Sequence, residues 1–175
     1  EFLDTNGVKQ HTKVKVKAPV KNNSFYNKLS EEIENSLYDL KSAWFNNLER
    51  LNVCSQKGLT EMFDSSIGAN TILMPLGGKY QLTPSEGMAA KIPVLDGDTT
   101  TGTLMTFGFN PFLSEWSPFH GALYAVIEAV SKIVAMGGDY RKIRLSLQEY
   151  FEKLGKYPEK WGKPFSALLG AFKAQ

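Results

Sequence analysis

One cysteine and two histidines in 175 residues close several chemical routes before any motif is sought. Cys54 has no internal partner, so a disulfide framework is excluded and a reducing cytosol is the default compartment. His11 and His120 are the only imidazoles, and the chain has no HExxH helix, CxxC pair, EF-hand loop or GxSxG elbow. Structural zinc and triad hydrolysis therefore lack their residues. Net charge is scarce too: 20 Lys and Arg against 18 Asp and Glu leave +2. That field is too weak to argue for a nucleic-acid or membrane partner, and no apolar run approaches the roughly 18–20 residues of a membrane span. Internal repeats and low-complexity stretches are absent as well.

What is present is a hydrophobic content of 42%, enough for one folded domain with a real core and an appended arm. There is no initiating methionine, and Pro164–Lys173 reads as a helix still in progress, so a piece of a longer chain is expected. Near the start, Lys9, Lys13, Lys15, Lys17 and Lys21 alternate with Val14, Val16 and their neighbours at a period of two. The pattern is that of an edge strand guarded by lysines; a phosphate-binding arm, whose binding would fall steeply with salt, is the other reading.

Three segments are expected: residues 1–23 as strand and linker, 24–50 as a helical arm, and 51–175 as the main domain. Phe25, Leu29, Ile33, Leu37 and Leu40 recur at three and four, and Trp44, Leu48 and Leu51 continue the stripe. This predicts two helices or one bent one, with Ser30 as an internal cap. Ser55 opens a short helix to Phe63, closed by Gly68. The period then becomes β over Thr71–Pro75, Met88–Leu95 and Thr101–Phe109, separated by turn chemistry such as Asp96-Gly97-Asp98. Ser117-Pro118 starts a long helix that ends at Gly137-Gly138, since serine caps and proline suits the first helical position. A fourth strand over Ile143–Ser146, a helix over Gln148–Leu154 and a final helix from Trp161 complete an α+β pattern.

Few residues advertise chemistry. Gly78-Lys79 invites a phosphate-loop reading, but Leu73 and Tyr80 stand where that template needs Gly and Ser or Thr, so a tight turn is the alternative. His120 falls in the first turn of the Ser117 helix, where the helix field favours anions. On that helix Gly121, Ala125, Glu128 and Lys132 share one stripe beside a wide apolar face. Glu128 could hold Mg²⁺ together with nucleotide phosphates, or form an i,i+4 pair with Lys132, the reading its own residues favour. Glu86, after Thr83-Pro84, is a second carboxylate that could converge there. Phe112, Trp116 and Phe119 are expected in the core.

Asn52–Asp64, Gly77–Pro84, Asn110–His120 and Glu128, taken in order, resemble the second synthetase half of the large single-chain phosphoribosylformylglycinamidine synthases. The resemblance runs from Asn52 to the C-terminus and is most specific over Gly77–Gly87 and Asn110–Gly121. It implies a domain like the N-terminal half of aminoimidazole ribonucleotide (AIR) synthetase: a strongly curved, four-stranded half barrel packed with helices, here with an N-terminal helical arm. It further implies an ATP- and glutamine-dependent ligase of purine synthesis. There ATP phosphorylates an amide oxygen and ammonia from a glutaminase domain displaces phosphate. On that basis Glu86 and Glu128 would hold Mg²⁺, while Gly78, Lys79, His120 and Lys132 would line an auxiliary ATP/ADP site; no catalytic residue is assigned. Partners would be the remaining synthase domains, with self-pairing through the sheet when the piece stands alone and no catalysis of its own. The family often has asparagine where this chain has Lys132. A lysine there could replace a metal's charge against phosphates, or pair with Glu128 and close the site. A structural module without a nucleotide site is the rival implication.

Overall fold

A computed structural model describes residues 13–23, 26, 31–62 and 70–175. Its contacts divide the chain into two compact units: Glu1–Asn27, Gly108–Glu128 and Arg144–Gln175 form the first, and Lys28–Phe107 with Ala129–Ile143 the second. The architecture is α+β, with helices and small antiparallel sheets and, among the described residues, no closed barrel. No helix among the described residues is long and apolar enough to cross a membrane.

In the second unit the arm begins with α1 (Glu31–Ser36) and α2 (Leu40–Glu49). The break lies at 37–39, where Asp39 caps α2 by accepting from the amides of Lys41 and Ser42. Those hydrogen bonds, led by the Ser42 hydroxyl, hold its carboxyl below the usual range. Ser30, Phe25 and Leu29 lie outside the described residues. The apolar stripe forms as expected but stays open, with Trp44 69% and Leu51 87% exposed. Helix α3 (Lys57–Met62) starts where Ser55 Oγ accepts from the Lys57 amide; Phe63 and Gly68 lie outside the described residues.

Where a curved sheet of about four strands is expected, the described residues pair as two two-stranded sheets. Strands β1 (Leu76–Gly77) and β2 (Thr83–Pro84) pair around a turn in which Gly78 takes φ +80° and Gln81 φ 51°. Glycine adopts that conformation without steric cost, so the tight-turn reading of Gly78 accounts for its backbone. Strands β3 (Met88–Lys91) and β4 (Gly102–Met105) pair in register Met88↔Met105 to Lys91↔Gly102. Residues 70–73 line the other edge of β3 through Ile72 N–H and Leu73 N–H to the Ala89 carbonyl and Lys91 N–H to Asn70, but only Thr71 bridges as a strand residue. Strand β3 is shorter than expected because Pro93 has no amide for a ladder. Lys91 and Asp98 then close the β3–β4 connection at 2.8 Å, and the Lys91 hydrogen bond holds Asp98 below its usual pKa.

In the first unit two helices carry one start signal used twice. Asn110 caps α4 (Pro111–Trp116) by accepting from the Leu113 amide at 3.0 Å, with proline in the opening turn. Helix α5 (Pro118–Ala135) follows after Ser117, as its Ser-Pro pair predicts. A Cβ on Gly121 would strike the Ser114 backbone, so glycine sets how closely these helices approach. Helix α6 (Pro158–Ala174) starts three residues before the expected Trp161, because Pro158 is preset for a first turn. Its buried face consists of Gly162, Ser166, Ala167, Gly170 and Ala171. Gly162 admits the backbone of Lys15–Val16, and Gly170 admits that of Phe119. With Leu113 and Val126 this small-residue seam is the core of the unit.

The lysine-rich segment is extended but joins no sheet over its described residues 13–20; Lys9 and His11 lie outside them. It straps α6 instead: Lys15 N–H donates to the Pro158 carbonyl at 2.9 Å, and the Lys15 and Lys17 ammoniums reach Glu159 at 3.1 and 2.8 Å. Trp116 Nε1 donates to the Val20 carbonyl at 3.0 Å. Two further expectations fail. Ile143–Ser146 alternates like a strand but has no ladder, and Gln148–Leu154 is not helical. Period two needs a neighbouring strand, and a seven-residue helix needs a packing partner to offset its nucleation cost.

Candidate functional site

Among the described residues, Lys132, on α5 within the second unit, is a cationic side chain drawn most of the way out of solvent beside a groove, with only 17% of it exposed. Several groups hold it. Its Nζ donates to the Phe107 carbonyl at 3.2 Å, stands 4.8 Å from the centre of the Phe107 ring and meets Glu86 Oε2 at 2.8 Å. The carbonyl and ring face hold the ammonium by dipole and quadrupole attraction, and Glu86 supplies the full opposite charge.

Local structure explains how these groups arrive. Ser85 anchors the loop before Glu86, its amide donating to the Pro75 carbonyl at 2.8 Å and its hydroxyl to the Met74 carbonyl at 2.6 Å. Gly87 lets the chain pass Met136 and Thr106, whose side-chain atoms lie where a Cβ would stand. Thr106 Oγ1 donates to the Ala129 carbonyl at 2.8 Å, tying the end of β4 to α5 one turn before Lys132. Leu73, Glu86, Gly87, Ser131, Lys132, Ala135 and Met136 enclose a groove of about 360 Å³. Glu86 stands at its rim with 72% of its side chain exposed.

Of the residues singled out from sequence, Glu86 and Lys132 are thus brought together. Gly78 and Lys79 lie in the β1–β2 turn, with Lys79 Nζ 5.4 Å from the centre of the Tyr80 ring. In the first unit Glu128 Oε2 accepts from the Phe109 amide at 3.1 Å. His120 Nδ1 lies 2.7 Å from the Oγ of Ser117, itself 2% exposed, and its ring stacks on Trp116 at 5.2 Å. Phe112, expected in the core, is exposed. Among the described residues no group of three or more His, Cys, Asp or Glu gathers as a metal centre. Phe107 escaped sequence analysis because a backbone carbonyl carries no sequence signal. Met136, at i+4 from Lys132, was legible as its neighbour on the helix.

The arrangement can do two things. A fixed ammonium beside an apolar groove can receive an anion carrying an apolar body, and an exposed carboxylate on that ammonium can keep the position filled without one.

Similarity to curated proteins falls on phosphoribosylformylglycinamidine synthase subunits. The chain is 30% identical over 101 residues to the PurL subunit of Picrophilus torridus, covering 58% of this chain and 13% of that one. It is 31% identical over 125 residues to the PurL subunit of Thermoplasma volcanium, covering 70% and 16%. With the PurL subunit of Rhodopseudomonas palustris the identity is 33% over 87 residues, 50% of this chain and 10% of the relative. No family model and no solved structure matches. Half or more of this chain is therefore similar in sequence to phosphoribosylformylglycinamidine synthase subunits, of whose length it spans 10–16%.

Proposed function

We propose that the chain corresponds to a piece of a phosphoribosylformylglycinamidine synthase, contributing scaffold and a nucleotide-binding groove to an ATP- and glutamine-dependent ligase of purine synthesis. The observation that carries this reading is the run of 125 residues, 70% of the chain, shared with a synthase subunit at 31% identity. The AIR-synthetase-like half barrel, its place in the second synthetase half and the single-chain form belong to the same proposal. In it, the other synthase domains are the partners, and the groove beside Lys132 takes ATP or ADP as an auxiliary ligand. Lys132 meets the phosphates, while Leu73, Ala135 and Met136 offer apolar surface. Gly78 and Lys79 in the β1–β2 turn of the same unit remain as further nucleotide contacts, and His120, in the first turn of α5, is kept as a nucleotide contact of the first unit considered by itself.

Magnesium fits poorly at Glu86. The metal takes oxygen donors in a near-ideal octahedron, whereas this carboxylate already faces an ammonium at 2.8 Å. Glu128 is engaged by the Phe109 amide within its own unit.

Thermal unfolding of the chain with excess Mg-ADP or Mg-ATP tests the reading. A ligand at 100 times its Kd raises stability by about 2.7 kcal/mol, which moves the melting temperature by several degrees. Unchanged melting at millimolar nucleotide would remove the nucleotide groove. The second reading, a structural module with no working nucleotide site, draws on the same Lys132–Glu86 contact, which satisfies the lysine without a ligand, and it predicts that absence of effect.

A further inference from the structure

The poor fit of a metal at Glu86 and the fixed position of Lys132 carry one step more. We infer that the groove is a metal-independent seat for the phosphate of a phosphate ester, in which Lys132 supplies the charge and Glu86 is a built-in competing anion. The inference rests on the nucleotide reading and deepens it, naming how the site is charged and regulated.

All the observations lie within the second unit. The Lys132 ammonium is held from behind by the Phe107 carbonyl at 3.2 Å and the Phe107 ring at 4.8 Å, so it stays in place when its outer partner leaves. The outer partner is the replaceable one: Glu86 is 72% exposed, so its own charge is already largely in water when it turns away. An incoming phosphate brings up to two negative charges and three acceptor oxygens against the single charge of a carboxylate. A divalent ion would instead have to approach the same carboxylate past an ammonium of like charge. Apolar Leu73, Ala135 and Met136, with no side chain at Gly87, leave about 360 Å³, within the range of small-ligand sites and large enough for one planar group.

Calorimetric titration of the full 175-residue chain with ADP, once in EDTA and once in magnesium, decides the matter. Wild type is expected to bind ADP in EDTA as well as in magnesium. Glu86→Gln removes the competitor and is expected to tighten binding by about two- to fivefold, the factor that an exposed ion pair is worth. Lys132→Met is expected to abolish binding and Lys132→Arg to retain it, with circular dichroism checking that each variant is folded. Binding only in magnesium and lost in Glu86→Gln would overturn the inference and leave the nucleotide reading standing, with Glu86 as a metal ligand. Absence of binding in wild type and Glu86→Gln under both conditions would overturn both.

Discussion

Gly170→Ala tests whether the seam along α6 is set by backbone approach. On propensity alone the change is favourable, since glycine inside a helix costs about 0.8–1.0 kcal/mol relative to alanine. Against that, the added Cβ would lie inside contact distance of the O, C and Cα atoms of Phe119, and none of these can rotate aside. Overpacking of this kind typically costs about 1–3 kcal/mol, and contacts with backbone belong at the upper end because relief requires shifting the start of α5 away from α6. The net expectation is a destabilisation of about 1–2 kcal/mol. In a unit of roughly 60–100 residues each kcal/mol moves the melting temperature by about 4–8 °C. The assay is thermal or urea unfolding followed by tryptophan fluorescence in a Trp44→Phe background, so that Trp116 and Trp161, both in the same unit as the seam, report. Gly58→Ala serves as the comparison, because a Cβ there meets nothing within 4 Å, and it should be neutral or slightly stabilising. A Gly170→Ala protein as stable as wild type would refute the close-approach account of the seam.

Two more expectations follow from charge and exposure. Glu159 is held below its ordinary pKa by hydrogen bonds from Lys17 and then Lys15, so the strap gains stability that is complete above the ordinary glutamate value and lost as pH falls through the depressed folded value. Limited proteolysis near residues 13–20 should accelerate below about pH 4, and Glu159→Gln should show the faster cleavage already at neutral pH; a pH-independent cleavage rate in wild type would remove the clamp. Exposed Ile72, Ile92 and Met105 around β3 and β4 lead us to expect a dimer through this sheet, with Met105→Lys shifting it to monomer. Sedimentation equilibrium reads the mass directly, and a monomer at high concentration counts against sheet pairing.

Signals read correctly from sequence were local ones. Ser117-Pro118 fixed the start of α5 because a cap and a preset φ act within one turn, and Ser55 marked α3 for the same reason. Asn110-Pro111 carries the same signal and opens α4, which was missed only because the strand pattern of Thr101–Phe109 ran up to it. Strand pairing was less legible. Alternation at Ile143–Ser146 and at Lys13–Lys17 is a property of each segment, whereas a ladder is a property of two, and neither segment is a strand here. The charge of Glu159 lies more than a hundred residues from Lys15 and Lys17, so no window on the sequence could show that the lysines strap a helix. At the candidate site, residue identity was legible, but the contact of Lys132 with Glu86 was not, because it depends on the loop anchored by Ser85 that delivers Glu86 to the ammonium.

The Glu86 contact bears on what the groove can do. Had Lys132 closed on Glu128 alone, both charges would ride on one helix, and an incoming anion would have to break an i,i+4 pair whose geometry α5 maintains. With Glu86 the charges belong to different elements, a helix and a loop. The burden of opening falls on the exposed carboxylate, whose own charge already faces water. A metal faces the opposite balance, since it needs the carboxylate and gains nothing from the ammonium. The asymmetry of exposure, 17% for the lysine and 72% for the glutamate, is thus the physical basis on which the groove favours an anion over a divalent cation.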